Sequence, residues 1–184
     1  MILAAIILAG FVLSLLSGGS WRQLEEEHLR GEWVILLLLP LQILWPSISE
    51  RVGLNCALST GLWLAMMVVL AVVLFANTDR RWMLAVAAVG IAMNVLVIGL
   101  NGAMPVSLDA AQDIGMMGAD ATTVLEARCL HDAAGTDTRL FWLADIIGIP
   151  GPSMTRGVVS LGDLLLATGL SIWLFIASRT RPGV

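Results

Sequence analysis

LNCALSTGLWLAMMVVLAVVLFA, residues 54–76, runs from end to end without a charged side chain. Roughly 18–20 apolar residues in a helix cross ~30 Å of hydrocarbon, so this stretch predicts a membrane span. The rest of the chain repeats the pattern. Apolar runs at 1–17, 33–48, 82–101 and 158–178 bring the expected spans to five. The composition agrees, with 58% hydrophobic residues, 13% charged residues and a mean hydropathy of +0.90, values that do not suit a soluble globule. The expected fold is therefore all-α: a single membrane domain over 1–184, an integral bundle of five transmembrane helices, with one long extracytoplasmic loop (102–157) that contains a short interfacial segment.

Pro40 falls inside the second run, where it removes a backbone hydrogen bond and predicts a kink. Trp33, Trp45 and Trp82 stand near span ends, as an aromatic belt requires, whereas Trp63 and Trp173 lie deeper. The first run lacks the basic flank of a signal peptide, since no Arg precedes Trp21, and is read as a retained helix. All ten basic residues are arginines. Arg22, Arg30, Arg80, Arg81, Arg179 and Arg181 fall on one side of a five-span chain. Arg51 falls on the other, with Arg128, Arg139 and Arg156 in the long loop, where charge counts for less. The positive-inside rule then puts the N-terminus outside and the C-terminus in the cytoplasm of a bacterial cell, with the chain in its inner membrane. Segment 102–157 lies outside and is acidic, carrying Asp109, Asp113, Asp120, Glu126, Asp132, Asp137 and Asp145. A basic nucleic-acid footprint is absent.

In the first connection, WRQLEEEHLRGEW, a four-residue spacing sets Arg22, Glu26 and Arg30 along one face of an expected helical connector. His28 sits at the membrane edge and is a poor candidate for a pigment or haem ligand, since the sequence has no CxxCH and no His pair at metal spacing. Cys56 and Cys129 both approach the outer side, where they are either a disulfide or two unrelated thiols; the second reading is preferred. Asn94 and Asn101 are seven apart on one helical face. Asn94 suits a hydrogen bond to a neighbouring helix, worth about 1 kcal/mol or less. Asn101 opens LNGAMPVS, in which Gly102 permits unusual backbone angles and Pro105 forbids further helix, so the chain turns there.

Two aspartates carry the chemical interest. RLFWLADIIGIPG, residues 139–151, is too short to span and reads as an interfacial or re-entrant segment with Asp145 in its middle. A buried carboxylate needs a partner, a proton or water. VVSLGDLLLATG, residues 158–169, sets Asp163 at the head of the last span. Ser160-Leu161-Gly162-Asp163 fits a capping box, in which serine and carboxylate each bond the other's backbone amide. That accounts for Asp163 without catalysis, although a capping aspartate can still act as a base.

The order NG-x-MPV, L-x-D-I-I-x-x-P, VVSLGDLLLATG, together with the opening ILAAIILAGFVLSLLSGGSWRQL, resembles the Domain of Unknown Function 5317 family of bacterial multi-pass membrane proteins. Met104-Pro105-Val106 and Ser160-Leu161-Gly162-Asp163 are its most specific parts. The resemblance implies a fold and a topology but no activity. The C-terminal part is more faintly similar to lipoprotein signal peptidases, which implies a carboxylate pair at Asp145 and Asp163, with Gly169 and Asn101 at matching positions. In such enzymes two carboxylates share one proton, one activating water while the other polarises the scissile carbonyl. The chain lacks that family's G-N-x-x-D-R element and its Phe-Asn, and has five expected spans rather than four.

Three function classes follow. The first is a non-catalytic accessory or scaffold subunit of a larger membrane complex, in contact with lipid and with an integral membrane partner or a second copy. It draws on small residues four apart, Gly61 and Ala65 or Ala88 and Ala92, that allow close helix contact. The second is an intramembrane aspartic hydrolase on Asp145 and Asp163, with Asn101, Gly102 and Pro105 as binding residues. The third is a small transporter, for which the spans offer little beyond Pro40 and Asn94. No metal-ligand spacing and no cofactor motif is evident; a bound lipid or pigment stays open.

Overall fold

The computed structural model describes residues 2–79, 81–116, 129–152 and 155–179. Arg80, Asp120, Glu126, Arg128 and Arg181 of the charge reading lie outside the described residues. The chain is mostly helical. Its elements are α1 (Ile2–Leu16), α2 (Trp21–Glu25), α3 (Glu32–Val52), α4 (Cys56–Phe75), α5 (Met83–Asn101), β1 (Met104–Val106), α6 (Leu108–Asp113), β2 (His131–Ala133), a 3-10 turn (Phe141–Leu143), β3 (Ile147–Ile149), β4 (Gly157–Val159) and α7 (Leu161–Ala177). α3, α4 and α5 are long and apolar enough to cross a membrane. α1 and α7 are apolar but shorter; at 1.5 Å per residue the 17 residues of α7 reach about 25 Å.

Local chemistry sets the helix ends. Asn55 caps α4, its side chain accepting the Leu58 N–H at 2.9 Å. α5 stops at Gly102, whose left-handed backbone (φ 83°) lets its own N–H reach Ile98 O. α3 runs on through Arg51, past the expected end of that span at 48.

α5 is the centre of the bundle, packed against α4 on one side and α7 on the other; α3 lies on α4, and α1 on α7. Leu84, Val97 and Ile98 of α5 are fully buried, with Leu70 and Leu74 of α4 against them. α5 and α7 meet at glycines: a methyl group on Gly162 would overlap Asn94 Oδ1 and the carbonyl of Gly90. Close contacts within the chain thus fall at glycines such as Gly90, Gly162 and Gly169, whereas Gly61 has open space around it. Trp63 and Trp173 pack against this core, which explains their depth. Trp45 is no belt residue: it is buried beside Met66 and Leu130 and donates its indole N–H to Ser59 O at 3.1 Å. The outer faces of α3 and α4 stay apolar and open, with Leu37 68% and Ile43 76% exposed, as lipid contact requires.

The segment after α5 departs from an all-α fold. β1 pairs in parallel with β2, Met104 opposite His131. From its other edge, Pro105 O accepts the Asp145 N–H and Ser107 N–H donates to Asp145 O, at 2.9 and 2.8 Å. β3 and β4 form an antiparallel pair with Ile147 opposite Val159. Residues 139–151, expected as a short interfacial or re-entrant segment, thus hold a 3-10 turn and a strand. β-branched Ile147 and Ile149 favour the extended chain, and β4 supplies the partner that a single strand lacks.

The two ends of the bundle are held differently. At one end Glu27 takes Arg81 bidentately (2.8 and 2.7 Å), Arg30 pairs with Asp79 at 3.0 Å, and buried Asn77 bonds both the N–H and the carbonyl of Arg30. The expected ion-paired connector does not form, because α2 ends at Glu25 and the charges turn to the α4–α5 connection instead. The same end carries Arg179, whose guanidinium donates to Ser17 O at 2.8 Å and lies over the Phe175 ring. At the opposite end a disulfide joins Cys56 to Cys129, against the preference for two unrelated thiols. The pairing is non-local, across 73 residues, and nothing in the spacing marks it. Thr60 Oγ1 donates to Cys129 O beside it.

Candidate carboxylate site

The β3–β4 hairpin ties the segment that carries Asp145 to the start of α7, which carries Asp163, and the charge of Asp163 acts on Asp145. Extending the β3–β4 register by two residues sets Asp145 opposite Leu161, the first residue of α7, and Asp163 lies in the helical turn that follows. Asp145 is held through its backbone by β1 and is 6% exposed. Among the described residues its Oδ1 is buried without a hydrogen-bond partner. Burial pushes the Asp145 carboxyl well above the usual carboxylate range, and the negative charge of Asp163 pushes in the same direction.

Asp163 is fully engaged. Its Oδ2 accepts the Ser160 N–H at 3.2 Å, and Ser160 Oγ accepts the Asp163 N–H at 2.9 Å, which is the capping box expected from Ser-x-x-Asp. Its Oδ1 accepts the Asn94 side-chain amide at 2.7 Å, and Ser160 Oγ donates to Asn94 Oδ1 at 2.9 Å. Asn94 thus makes the interhelical bond expected of it, and the partner is the candidate site itself. Ser160 and Asn94 are both buried, so the network is closed to water on the α5 side.

A family model described as a family of unknown function, DUF5317, matches residues 26–175. The chain belongs to this family. The match takes in Asn94, Asp145, Ser160 and Asp163, so the whole carboxylate network lies within the DUF5317 region. No curated protein and no solved structure matches the chain.

Of the three expected binding residues of this DUF5317 chain, Pro105 meets Asp145 through its backbone, and Asn101 and Gly102 serve the end of α5. Asn101 uses its whole amide on backbone: it donates to Val97 O and Arg139 O and accepts the Arg139 N–H. Gly102 caps α5, and buried Pro105 gives its carbonyl to Asp145. Asn101 and Pro105 also line a shallow cleft of about 290 Å³ with Asp132, Asp137, Thr136 and Thr138; neither carboxylate of the pair lines it. Sequence reasoning passed over Ser160 and Asn94 as site residues. The signal for Asn94 was a polar side chain in an apolar helix, which spacing alone could not connect to Asp163. Among the described residues no three His, Cys, Asp or Glu side chains group as a metal centre would require.

Proposed function

We propose that the protein is a membrane hydrolase built on Asp145 and Asp163, with five crossings of a bacterial inner membrane, the N-terminus outside and the carboxylate pair at the outer face. The observation that carries this reading is the buried Asp145 carboxyl, whose Oδ1 has no partner among the described residues and which feels the charge of a second carboxylate. A pair of interacting acids pushed apart in proton affinity is what general acid-base hydrolysis uses. One carboxylate takes a proton from water, whose oxygen adds to a carbonyl carbon. The other acid hydrogen-bonds the carbonyl oxygen, and the proton then passes to the leaving group as the bond breaks. The orientation is supported by the disulfide, which persists in oxidising compartments and lies at the carboxylate end of the bundle. It is supported too by Arg30, Arg81 and Arg179 at the other end.

Separate Asp145→Asn and Asp163→Asn variants, reconstituted in membranes with a membrane-anchored reporter peptide, are each expected to lose cleavage by at least about a hundredfold, the contribution of a positioned acid or base. Turnover that persists in either variant ends the proposal. A second reading, an accessory subunit, draws on one observation: Gly61, on the exposed face of α4, has nothing within 4 Å of where a side chain would start. Small residues on an open face suit a partner helix. A stoichiometric membrane partner in gentle pull-downs, together with absence of cleavage, would favour it.

A further inference from the structure

We propose that Asn94 is a positioning residue that holds the negative charge of the carboxylate pair on Asp163 and leaves the shared proton on Asp145. This deepens the hydrolase reading by assigning its two roles, and it rests on that reading only for its catalytic meaning.

The argument follows donors and acceptors from a fixed starting point. The backbone N–H of Asp163 can only donate, and it donates to Ser160 Oγ. The single proton of that hydroxyl is therefore free to go elsewhere, and it goes to the nearest acceptor, Asn94 Oδ1. With its oxygen so engaged, the Asn94 amide must turn its NH2 toward Asp163 Oδ1, 2.7 Å away. An NH2 group only donates, so Asp163 Oδ1 must accept. The other oxygen, Oδ2, accepts the Ser160 N–H. Both oxygens of Asp163 thus face donors, and a proton placed on either would weaken that oxygen as an acceptor. Hydrogen bonds of this polarity favour the ionised carboxylate and work against the cost of burying its charge.

Asp145 is the complement. Among the described residues no donor reaches its buried Oδ1, and Asp163 is the titratable group whose charge acts on it. An acid so placed keeps its proton and can offer it. The geometry leaves little room for Asn94 to turn away: it is buried, Gly162 stands against its Oδ1, and Gly90 packs on Gly162. In the hydrolase, Asp163 would then be the base that activates water and Asp145 the acid that bonds the carbonyl oxygen.

Infrared spectroscopy of the full chain in lipid nanodiscs tests this without any substrate, because a protonated carboxyl has a carbonyl stretch separate from ionised carboxylate. At neutral pH the wild type is expected to show a protonated-acid band that vanishes in Asp145→Asn and remains in Asp163→Asn. In Asn94→Ala the proton is expected to divide between the two acids, so that an acid band reappears from Asp163 when Asp145→Asn is added. Ser160→Ala, which leaves α5 intact and frees the Asn94 amide to rotate, is expected to move in the same direction and carries the test should Asn94→Ala fail to fold. A merely structural Asn94 would change stability and leave the band assignment untouched. An acid band in the wild type that survives Asp145→Asn, or no acid band at all, overturns the proposal, as does an assignment unchanged in the Asn94 and Ser160 variants. Loss of the hydrolase reading by the cleavage assay would leave the proton assignment standing, so the two failures are separable.

Discussion

At Asp145 the cost of burying a charge and the cost of burying an unbonded polar atom meet in one side chain. Keeping the proton lowers the first cost and leaves the second. The folded chain then binds this proton more tightly than the unfolded chain, for which the carboxyl takes its ordinary value of about 4. Linkage gives the sign: the contribution to stability is whole below that value, is lost progressively as the pH rises toward the raised folded value, and stays lost above it. Each unit by which burial raises the folded value is worth about 1.4 kcal/mol at the upper end of that window. Asp145→Asn abolishes the titration. The melting temperature of the wild type in detergent is therefore expected to fall from mildly acid to neutral pH, and that of Asp145→Asn to vary less over the same range. Parallel curves for the two proteins would show that Asp145 does not carry its proton in the folded state. Asp163 was legible in the sequence because its cap is local, four residues long, and made with its own helix. The partnership with Asp145 was less so, since a spacing of eighteen becomes a juxtaposition only through the β3–β4 register.

At the level of elements, the contact between α5 and α7 depends on missing side chains. Gly162 has no room for a methyl group, the nearest obstacles being the Asn94 amide oxygen and the backbone of Gly90, neither of which can yield as the tip of a long side chain would. Gly162→Ala is expected to destabilise the fold by about 1–3 kcal/mol, the usual range for overpacking, and to displace Asn94 from Asp163 with it. Gly61→Ala inserts the same methyl group into open space. In an isolated chain it should be neutral or stabilising by up to about 1 kcal/mol through helix propensity. Thermal unfolding of the two purified variants checks the contrast. If Gly61→Ala also lowers stability in native membranes but not in the purified chain, a partner helix rests on that face, as the accessory reading requires. Hydrophobic runs revealed the long helices well, within a few residues of α4 and α5, because length and apolarity are summed locally. They missed the strands of the outer segment. Three-residue strands have no period to read, and β1 exists because Leu130 and Asp145, distant in sequence, supply its bonds on either edge. Cys56 and Cys129 escaped for the same reason.

For the molecule as a whole, orientation decides whether the site can work as proposed. The helices order as α3, α4, α5, α7 and α1 across the bundle, and their connections alternate between a charged, arginine-bearing end and the disulfide and carboxylate end. Arginine retention predicts that the first end stays in the cytoplasm, and the disulfide predicts that the second faces an oxidising compartment. The two arguments are independent and agree. Since both native cysteines are bonded to each other, a third can be introduced as a clean reporter. Thr136→Cys and Glu26→Cys replace exposed side chains at the two ends. In intact cells a membrane-impermeant thiol reagent is expected to label Thr136→Cys and to reach Glu26→Cys only after permeabilisation. The opposite pattern would put the carboxylate pair in the cytoplasm, where glutathione would keep Cys56 and Cys129 reduced and membrane-anchored substrates on the outer face would lie beyond its reach. Labelling of both positions from outside would mean an even number of crossings between residues 26 and 136. That is incompatible with α3, α4 and α5 all spanning, so this measurement tests the bundle as well as its orientation.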